Sequence, residues 1–179
     1  MTTVNSNFSR LQELLPELFQ AGKVTGTSYL RTQLTPQLTV LLSMDLVQES
    51  LLVTSEQITA IPSMPDYFVG LMSSRDRVFC LIDLPQFLGL PSNIRNARQT
   101  YHTVIVRVTD SRIAEKEFLV GLIFEQVQGV TRVKTEKNNN SLDHLPQSLI
   151  PYVEGCLIDK NQSLPILGIA NIIQKIIKK

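Results

Sequence analysis

The sequence predicts a mainly β protein whose strands fall into two consecutive groups of about five. From Ser28 onward, short apolar runs rich in β-branched residues alternate with turn signals. Apolar residues at helical spacing occur instead at the two ends of the chain. A polar stretch over residues 92–101, SNIRNARQTY, separates the two groups of runs. These observations favour two small β-barrels or a folded pair of sheets, with short helices at both termini.

The first 22 residues have the pattern of an amphipathic helix. Pro16 lies inside the pattern and predicts a kink, and Gly22 and Gly26 begin a linker. Residues 1–27 are therefore interpreted as a helical extension, which either packs on the main domain or docks on another protein. Packing on the domain is favoured because large apolar side chains seldom stay exposed. The apolar residues of the pattern are Phe8, Leu11, Leu14, Leu15, Leu18 and Phe19.

The domain proper is expected over residues 28–179, with a first barrel at about 28–91 and a second at about 99–168. In the first group, the two prolines of IPSMP impose extended backbone, and LPQFLGLP indicates one helical turn ended by Gly89. A polar excursion containing Asn138, Asn139 and Asn140 indicates a loop in the second group. The predicted strands are SYLRTQL, LTVLLS, SLLVT, FVGLMS and VFCLID, followed by HTVIVRV, EFLVGLIFEQV, GVTRVKT, YVEGCLI and SLPIL.

Residues 169–179, IANIIQKIIKK, predict a C-terminal helix with one isoleucine face and lysines in its last turns. A basic amphipathic helix is also typical of membrane-surface elements. With three lysines at a terminus, a lid on the core is the favoured interpretation.

Composition excludes several classes of function. The 179 residues are 43% hydrophobic and 18% charged with a formal net charge of +1, which disfavours a dedicated nucleic-acid or anionic-membrane binder. The chain has no apolar run long enough to span a bilayer and no signal-peptide pattern, so a cytoplasmic protein is expected. Cys80 and Cys156 sit in apolar runs and are expected to be reduced and buried. His102 and His144 are far from them in sequence, so no metal site is predicted.

No catalytic pattern is recognisable, and neither an enzyme nor a cofactor is predicted. Glycine-rich phosphate loops and the Gly-x-Ser-x-Gly elbow are absent from the sequence. Asp83, at the end of a predicted strand, is expected to accept hydrogen bonds from backbone N–H groups at the following helical turn. The remaining unusual feature is the stretch VGLMSSRDRVFCLIDL, residues 69–84, in which a charged turn joins two apolar runs. A polar turn on a rigid β scaffold is a natural place for a recognition residue.

The stretch MPDYFVGLMSSRDRVFCLIDLPQFLGLP resembles the CheW-like family, whose pattern is P-x-x-[apolar]-x-G-x-x-N-L-R-G-x-V-x-P-[apolar]-x-D-L-x-x-x-L-G. MDLVQES resembles the V-x-E segment of that family, and FLVGLIFEQVQGV is similar to its V-G-[apolar]-x-V-D-x-V-x-x-V segment. The resemblance covers roughly residues 28–177, with the motifs in order. The matching residues are Val47, Glu49, Gly70, Arg75, Val78, Asp83, Leu84, Leu88, Gly89, Val120, Gly121, Val127, Val130 and Gly155.

The resemblance implies two SH3-like five-stranded barrels around a shared hydrophobic core. It also implies a non-catalytic adaptor that couples a chemoreceptor signalling tip to the regulatory domain of a CheA-type histidine kinase. Val47, Glu49, Gly70 and Arg75 are then expected to bind the receptor. The expected kinase contacts are Gly121, Val127 and Val130.

The sequence departs from the family pattern at several places. Asn-Leu-Arg-Gly reads Ser73-Ser74-Arg75-Asp76, and Cys80 stands where the family has proline. These departures, with the N-terminal extension, resemble the variants of type IV pilus twitching and phototaxis systems. The alternative function is a nucleic-acid-binding β-barrel that uses Arg75, Arg77, Arg95, Arg98 and Arg107, against which the near-neutral charge and 6% aromatic content argue. An ion pair of Arg75 with Glu49 or Asp76 is the structural alternative to a receptor contact.

Overall fold

The structure is a computed structural model that describes residues 26–94, 99–110, 116–133, 142, 144–159 and 162–177. The predicted N-terminal helix, the Asn138–Asn140 loop, and Lys178 and Lys179 lie outside the described residues. The described strands are β1 (Thr27–Thr35), β2 (Leu38–Ser43), β3 (Val47–Thr54), β4 (Phe68–Ser74), β5 (Arg77–Asp83), β6 (Thr100–Asp110), β7 (Lys116–Phe124), β8 (Gln126–Val133), β9 (Val153–Asp159) and β10 (Gln162–Leu167). Helix α1 (Leu84–Phe87) and 3-10 turns at Ser55–Gln57 and Ile150–Tyr152 lie between strands, and helix α2 (Ile169–Ile177) follows β10.

The strands form two five-stranded sheets that we name by their first strand. The β1 sheet has the order β8-β1-β2-β10-β9, and the β3 sheet has the order β3-β6-β7-β5-β4. Pairs β2–β10 and β5–β7 are parallel, and the other pairs are antiparallel. Both sheets therefore contain strands from the early and the late parts of the chain.

This pairing corrects the predicted division into barrels at residues 28–91 and 99–168. Strands β1 and β2 pair with β8 and β10, whereas β6 and β7 complete the sheet begun by β3, β4 and β5. Strands β5 and β6, which precede and follow the middle of the polar stretch at 92–101 in sequence, thus belong to one sheet. The chain changes sheets between Ser43 and Val47 and again at Glu125. Apolar runs identify strands but not their partners, and for that reason the sequence reading assigned consecutive runs to one barrel.

Three apolar clusters confirm the prediction of two curled sheets around a shared core. One cluster fills the β3 sheet and includes Val53, Phe79 and Ile105, and another fills the β1 sheet and includes Tyr29 and Leu164. The largest cluster lies between the sheets and draws from both. Its fully buried members are Leu34, Val40, Leu42, Ile82, Leu84, Val104, Val106, Leu122, Phe124, Leu149, Cys156, Ile172 and Ile173.

Each sheet curls until its two edges approach each other. In the β3 sheet, Thr59 follows β3 and exchanges backbone hydrogen bonds of 2.8 and 2.9 Å with Leu71 of β4. In the β1 sheet, Arg31 of β1 donates from Nη1 to Asp159 Oδ2 of β9 at 3.0 Å, although β2 and β10 lie between these strands along the sheet. Both barrels are thereby closed partly by contacts outside the regular strand ladder.

The two described helices behave as their sequences predict. Asp83 is buried, accepts from the Gln86 N–H at 3.0 Å and caps α1, and Gly89 follows the helix with φ of +72°. Helix α2 buries its isoleucine face, including Ile172 and Ile173, in the shared core. The interpretation of this helix as a lid is therefore confirmed for residues 169–177.

Both cysteines are free thiols, as predicted. Cys156 is buried in the shared core, and Cys80 is half-buried at its margin. Burial raises the pKa of the Cys80 thiol, because the thiolate is poorly solvated there. Cys80 is therefore a poor nucleophile at neutral pH.

Candidate interaction site

A cluster of charged and amide side chains lies at one end of the β3 sheet; we call it the charged rim. Arg75 Nη2 lies 3.5 Å from Glu49 Oε2, and Arg107 Nη1 lies 3.6 Å from Glu117 Oε1. Arg107 also donates from Nη2 to the amide oxygen of Gln48, the residue beside Glu49. The charged rim thus consists of Gln48, Glu49, Arg75, Arg107 and Glu117, contributed by β3, β6, β7 and the β4–β5 turn.

The β4–β5 turn presents Arg75 by an uncommon backbone conformation. Ser74 pairs with Arg77 across the hairpin, which leaves Arg75 and Asp76 as a two-residue loop. Both loop residues have positive φ, 48° and 61°, as a type I′ turn requires. Such turns favour Asn-Gly, and a non-glycine residue there costs roughly 1–2 kcal/mol. The result is an arginine whose side chain is 83% exposed at the tip of a rigid hairpin.

A β-bulge at Gln48 places Val47 and Glu49 on opposite faces of β3. Val47 is opposite Val106 and Glu49 is opposite Ile105, so Gln48 is an extra residue in the ladder. Val106 belongs to the shared core and Ile105 to the interior of the β3 sheet. In a regular strand, residues two apart share a face. The bulge therefore sends Val47 toward the shared core and Glu49 toward the rim.

The Arg75–Glu49 contact is the ion pair that the sequence left as the structural alternative. Because Arg75 is highly exposed and Glu49 is 25% exposed, water screens the pair, which is worth about 0–1 kcal/mol. Both charges were predicted to bind the receptor, and the fold brings them together from positions 26 residues apart in sequence. A pair this weak can exchange its partners for those of another protein at little cost.

Gly70, the fourth predicted receptor residue, is buried and has an internal role. A Cβ built there would lie 2.6 Å from both Ile58 Cγ2 and the Thr59 carbonyl oxygen. The close approach that glycine permits is thus to the chain's own Thr59 segment, where the edges of the β3 sheet meet. A receptor contact at Gly70 stays a prediction.

The three predicted kinase contacts are unequal in exposure. Gly121 is buried in β7, where a Cβ would lie 2.5 Å from Leu81 Cδ2. Val127 is half-buried against the shared core, whereas Val130 on β8 is 58% exposed. Val130 is therefore the member of the three that presents the most surface, and Gly121 has a packing role.

The arginines of the nucleic-acid alternative do not supply free positive charge together. Arg95 and Arg98 lie outside the described residues. Of the others, Arg75 and Arg107 are paired with carboxylates, and Arg77 is exposed on the hairpin. Neutralised cations attract a phosphate backbone weakly, which leaves this alternative without support.

Gln48, Arg107 and Glu117 were not singled out as receptor contacts from the sequence. Gln48 is the unassigned residue of the V-x-E segment, and its bulge depends on pairing with β6. Arg107 also lines a depression of about 360 Å³ with Asp45, Leu46, Thr109 and Ala170, between the start of β3 and helix α2. No local sequence signal marks these residues, because three strands must pair before they meet.

The described residues hold no group of three His, Cys, Asp or Glu side chains arranged as metal ligands. None of the helices in the described ranges is long and apolar enough to cross a membrane. What the rim does offer is paired charge, with an exposed arginine at the tip of a hairpin on a rigid β scaffold. Such a surface is suited to binding another protein.

Comparison with known proteins identifies the family of the chain. The model of the CheW-like domain matches residues 29–176, so the chain belongs to the CheW-like family of non-catalytic scaffold proteins. It is accordingly an adaptor of the chemotaxis signalling type and not an enzyme.

Solved structures support the same fold. The chain is similar to the scaffolding protein TtCheW from Thermoanaerobacter tengcongensis, with a TM-score of 0.62 and 19% identity. The match covers 80% of this chain and 89% of that one. None of the curated proteins matches the chain.

Proposed function

We propose that this protein couples the signalling tip of a methyl-accepting chemoreceptor to a CheA-type histidine kinase. Membership of the CheW-like family supports an adaptor role. What supports the receptor assignment is the exposure of Arg75, whose side chain is 83% accessible at the tip of the β4–β5 hairpin. Arg75 and Glu49 come from two separate motifs, and their side chains lie 3.5 Å apart.

The rim matches a receptor helix that carries both charge and apolar surface. Arg75 would donate a charge-assisted hydrogen bond to a carboxylate or to a carbonyl at the helix surface. Glu49 would accept from a basic side chain or amide, and the exposed part of Val47 would contact an apolar residue. Exchange of the weak internal pair for two intermolecular contacts keeps both charges satisfied during binding.

The kinase contact is proposed for the end of the other barrel. Val130 lies on β8, the edge strand of the β1 sheet, and is 58% exposed. Large exposed apolar residues at a sheet edge are suited to pairing with a second barrel of similar build. Val127 beside it would support this contact from the margin of the core.

The proposal includes the cellular location of the protein and the behaviour that it controls. A receptor-coupled adaptor acts in the cytoplasm at membrane-associated receptor arrays, and the output is control of motility. The departures at Ser73 and Asp76 lie in the receptor-facing hairpin, which supports a receptor different from that of the common chemotaxis systems. Twitching or phototaxis is the proposed process.

Charge reversal at Arg75 tests the receptor assignment. Arg75→Glu puts two carboxylates side by side and should abolish capture of the purified receptor signalling tip, while the melting temperature changes little. Arg77→Glu is the matched control, because Arg77 is exposed on the same hairpin outside the left-handed turn. Capture that survives Arg75→Glu, or equal loss in both variants, contradicts the assignment.

A further inference from the structure

The bulge at Gln48 is held in place by side chains and not by the strand ladder alone. Val47 and Glu49 are two positions apart on β3, but their partners Val106 and Ile105 are neighbours on β6. Gln48 therefore has no partner in the strand ladder. The Gln48 side chain is instead bonded to Arg107, one residue beyond Val106 on β6. Bulges re-aim side chains and recur beside functional sites.

Arg107 is fixed on both sides of the bulge. Its backbone N–H donates to the Leu46 carbonyl at 2.9 Å, which holds the start of β3 in register. Its guanidinium joins Gln48 to Glu117, across β6 from one neighbouring strand to the other. A planar guanidinium with several donors is suited to such a bridge, whereas a lysine would offer a single point of attachment.

Loss of the Arg107 bridge would affect the proposed receptor surface. Loss of the bridge would release Gln48 and favour a regular β3, in which Val47 and Glu49 share one face. Either Glu49 would then lose its contact with Arg75, or Val47 would lose its contact with the shared core. The spacing of the receptor-facing residues is thus set by groups that need not touch the receptor.

We propose that Arg107, bridging Gln48 and Glu117, is a positioning residue that holds the β3 bulge and so sets the placement of Val47 and Glu49 for the receptor. The inference rests on the proposed receptor function. It gives Arg107 a role that differs from direct contact, because a positioning residue acts through Glu49.

The test is a double-mutant cycle on the full chain, with affinity for the purified receptor signalling tip as the readout. Arg107→Met removes the bridge at similar length, and Glu49→Gln removes the charge that the bulge places. Arg107→Met should weaken binding about tenfold, the order expected when a charged contact is lost. In the double variant, Arg107→Met should weaken binding little beyond the effect of Glu49→Gln, because Glu49→Gln has already removed the charge that Arg107 positions.

A structural readout separates positioning from general damage. In the free protein, Arg107→Met should speed amide hydrogen exchange at Gln48 and Glu49 while leaving the buried strands β2 and β10 protected. Gln48→Ala should reproduce both effects from the other side of the bridge. Arg132→Met is the matched control, because Arg132 is exposed on a strand of the other sheet, and it should change neither readout.

Three outcomes overturn the inference. Full binding by Arg107→Met, or unchanged exchange at β3, shows that the bulge does not need the bridge. Additive losses with Glu49→Gln show that Arg107 contacts the receptor itself. If Arg75→Glu abolishes capture in the same assay, the proposed function survives any of these results. If the unmutated protein captures no receptor tip, the proposed function and this inference both fail.

Discussion

At the scale of single residues, the β4–β5 turn at the proposed receptor site lacks the residues that its turn type favours. Asn-Gly would form the type I′ loop at a smaller steric cost, but Arg75 and Asp76 occupy it at φ of 48° and 61°. Backbone conformations of this kind persist where the surrounding structure determines them, and they cluster at functional positions. In this protein the strained turn presents an exposed arginine at its tip.

Replacing Asp76 with glycine should therefore stabilise the fold. Asp76→Gly removes the Cβ contact of the left-handed conformation, and the lost backbone restriction offsets part of this, for a net gain of about 1 kcal/mol in free energy of unfolding. Denaturant titration measures the change. Asp66→Gly is the control, since Asp66 is an exposed turn residue outside the left-handed region, and it should be destabilising. A loss of stability in Asp76→Gly would show that the turn is not strained.

Replacing Gly70 with alanine should destabilise the fold. Gly70→Ala places a methyl group 2.6 Å from the Thr59 carbonyl oxygen, so the Thr59 segment must shift away from β4. The expected cost is about 2 kcal/mol in free energy of unfolding. Gly129→Ala is the comparison, because Gly129 has φ of +122° but no neighbouring atom within 4 Å of a built Cβ. Equal losses in the two variants would mean that crowding at Gly70 is unimportant.

At the scale of elements, side chains join sheet edges that the ladders leave apart. Arg31 donates to Asp159 at 3.0 Å and to Gln128 and Gln162 at 3.1 Å, so it links β1 to β8, β9 and β10. The charged rim does the same for the β3 sheet through Glu49 and Arg75. In both sheets an arginine lies where curled edges approach.

Arg31→Met should loosen that closure. The three hydrogen bonds are partly exposed, so the expected loss is about 1 kcal/mol in free energy of unfolding. Hydrogen exchange should rise at the facing edges of β8 and β9 and stay unchanged in the β3 sheet. Uniform acceleration across both sheets would contradict a local role for this cluster.

The elements themselves were largely predictable, and their pairing was not. Alternating apolar patterns and turn residues identified the strands, and Asp83 and Gly89 marked the ends of α1. The length of β3 was underestimated, because Gln48 and Glu49 near its start are polar and charged and lie at a bulge. A bulge has no local signature, since it exists only in relation to the partner strand.

At the scale of the whole molecule, one shared core joins the two sheets. Strands β1 and β2 from the start of the chain and β10 with α2 from its end meet β6 and β7 in the largest apolar cluster. Composition indicated enough apolar material for a core, and the isoleucine face of α2 indicated a lid on it; the core shared by two barrels was implied by the family resemblance. The sequence could not predict the exchange of strands between barrels, which depends on contacts distant in sequence.

The same limit applies to the candidate site. Family motifs pointed to Glu49 and Arg75, whose side chains lie 3.5 Å apart, and to Val47, which lies on the opposite face of β3. They also pointed to Gly70 and Gly121, which the fold buries. A glycine in a motif signals close approach without saying whose backbone approaches. Arg107 could be assigned to the rim only once β6 lay between β3 and β7.

Site-specific photo-crosslinking in the native cell tests the two proposed contacts together. A photoreactive side chain at Ser73, exposed on β4 beside the turn and leaving Arg75 intact, should yield an adduct with a methyl-accepting receptor. One at position 130 should yield an adduct with a CheA-type kinase. A photoreactive side chain at Ser50, exposed on β3 and assigned to neither contact, provides the background. Receptor adducts at position 130 with none at position 73 would overturn the proposed arrangement.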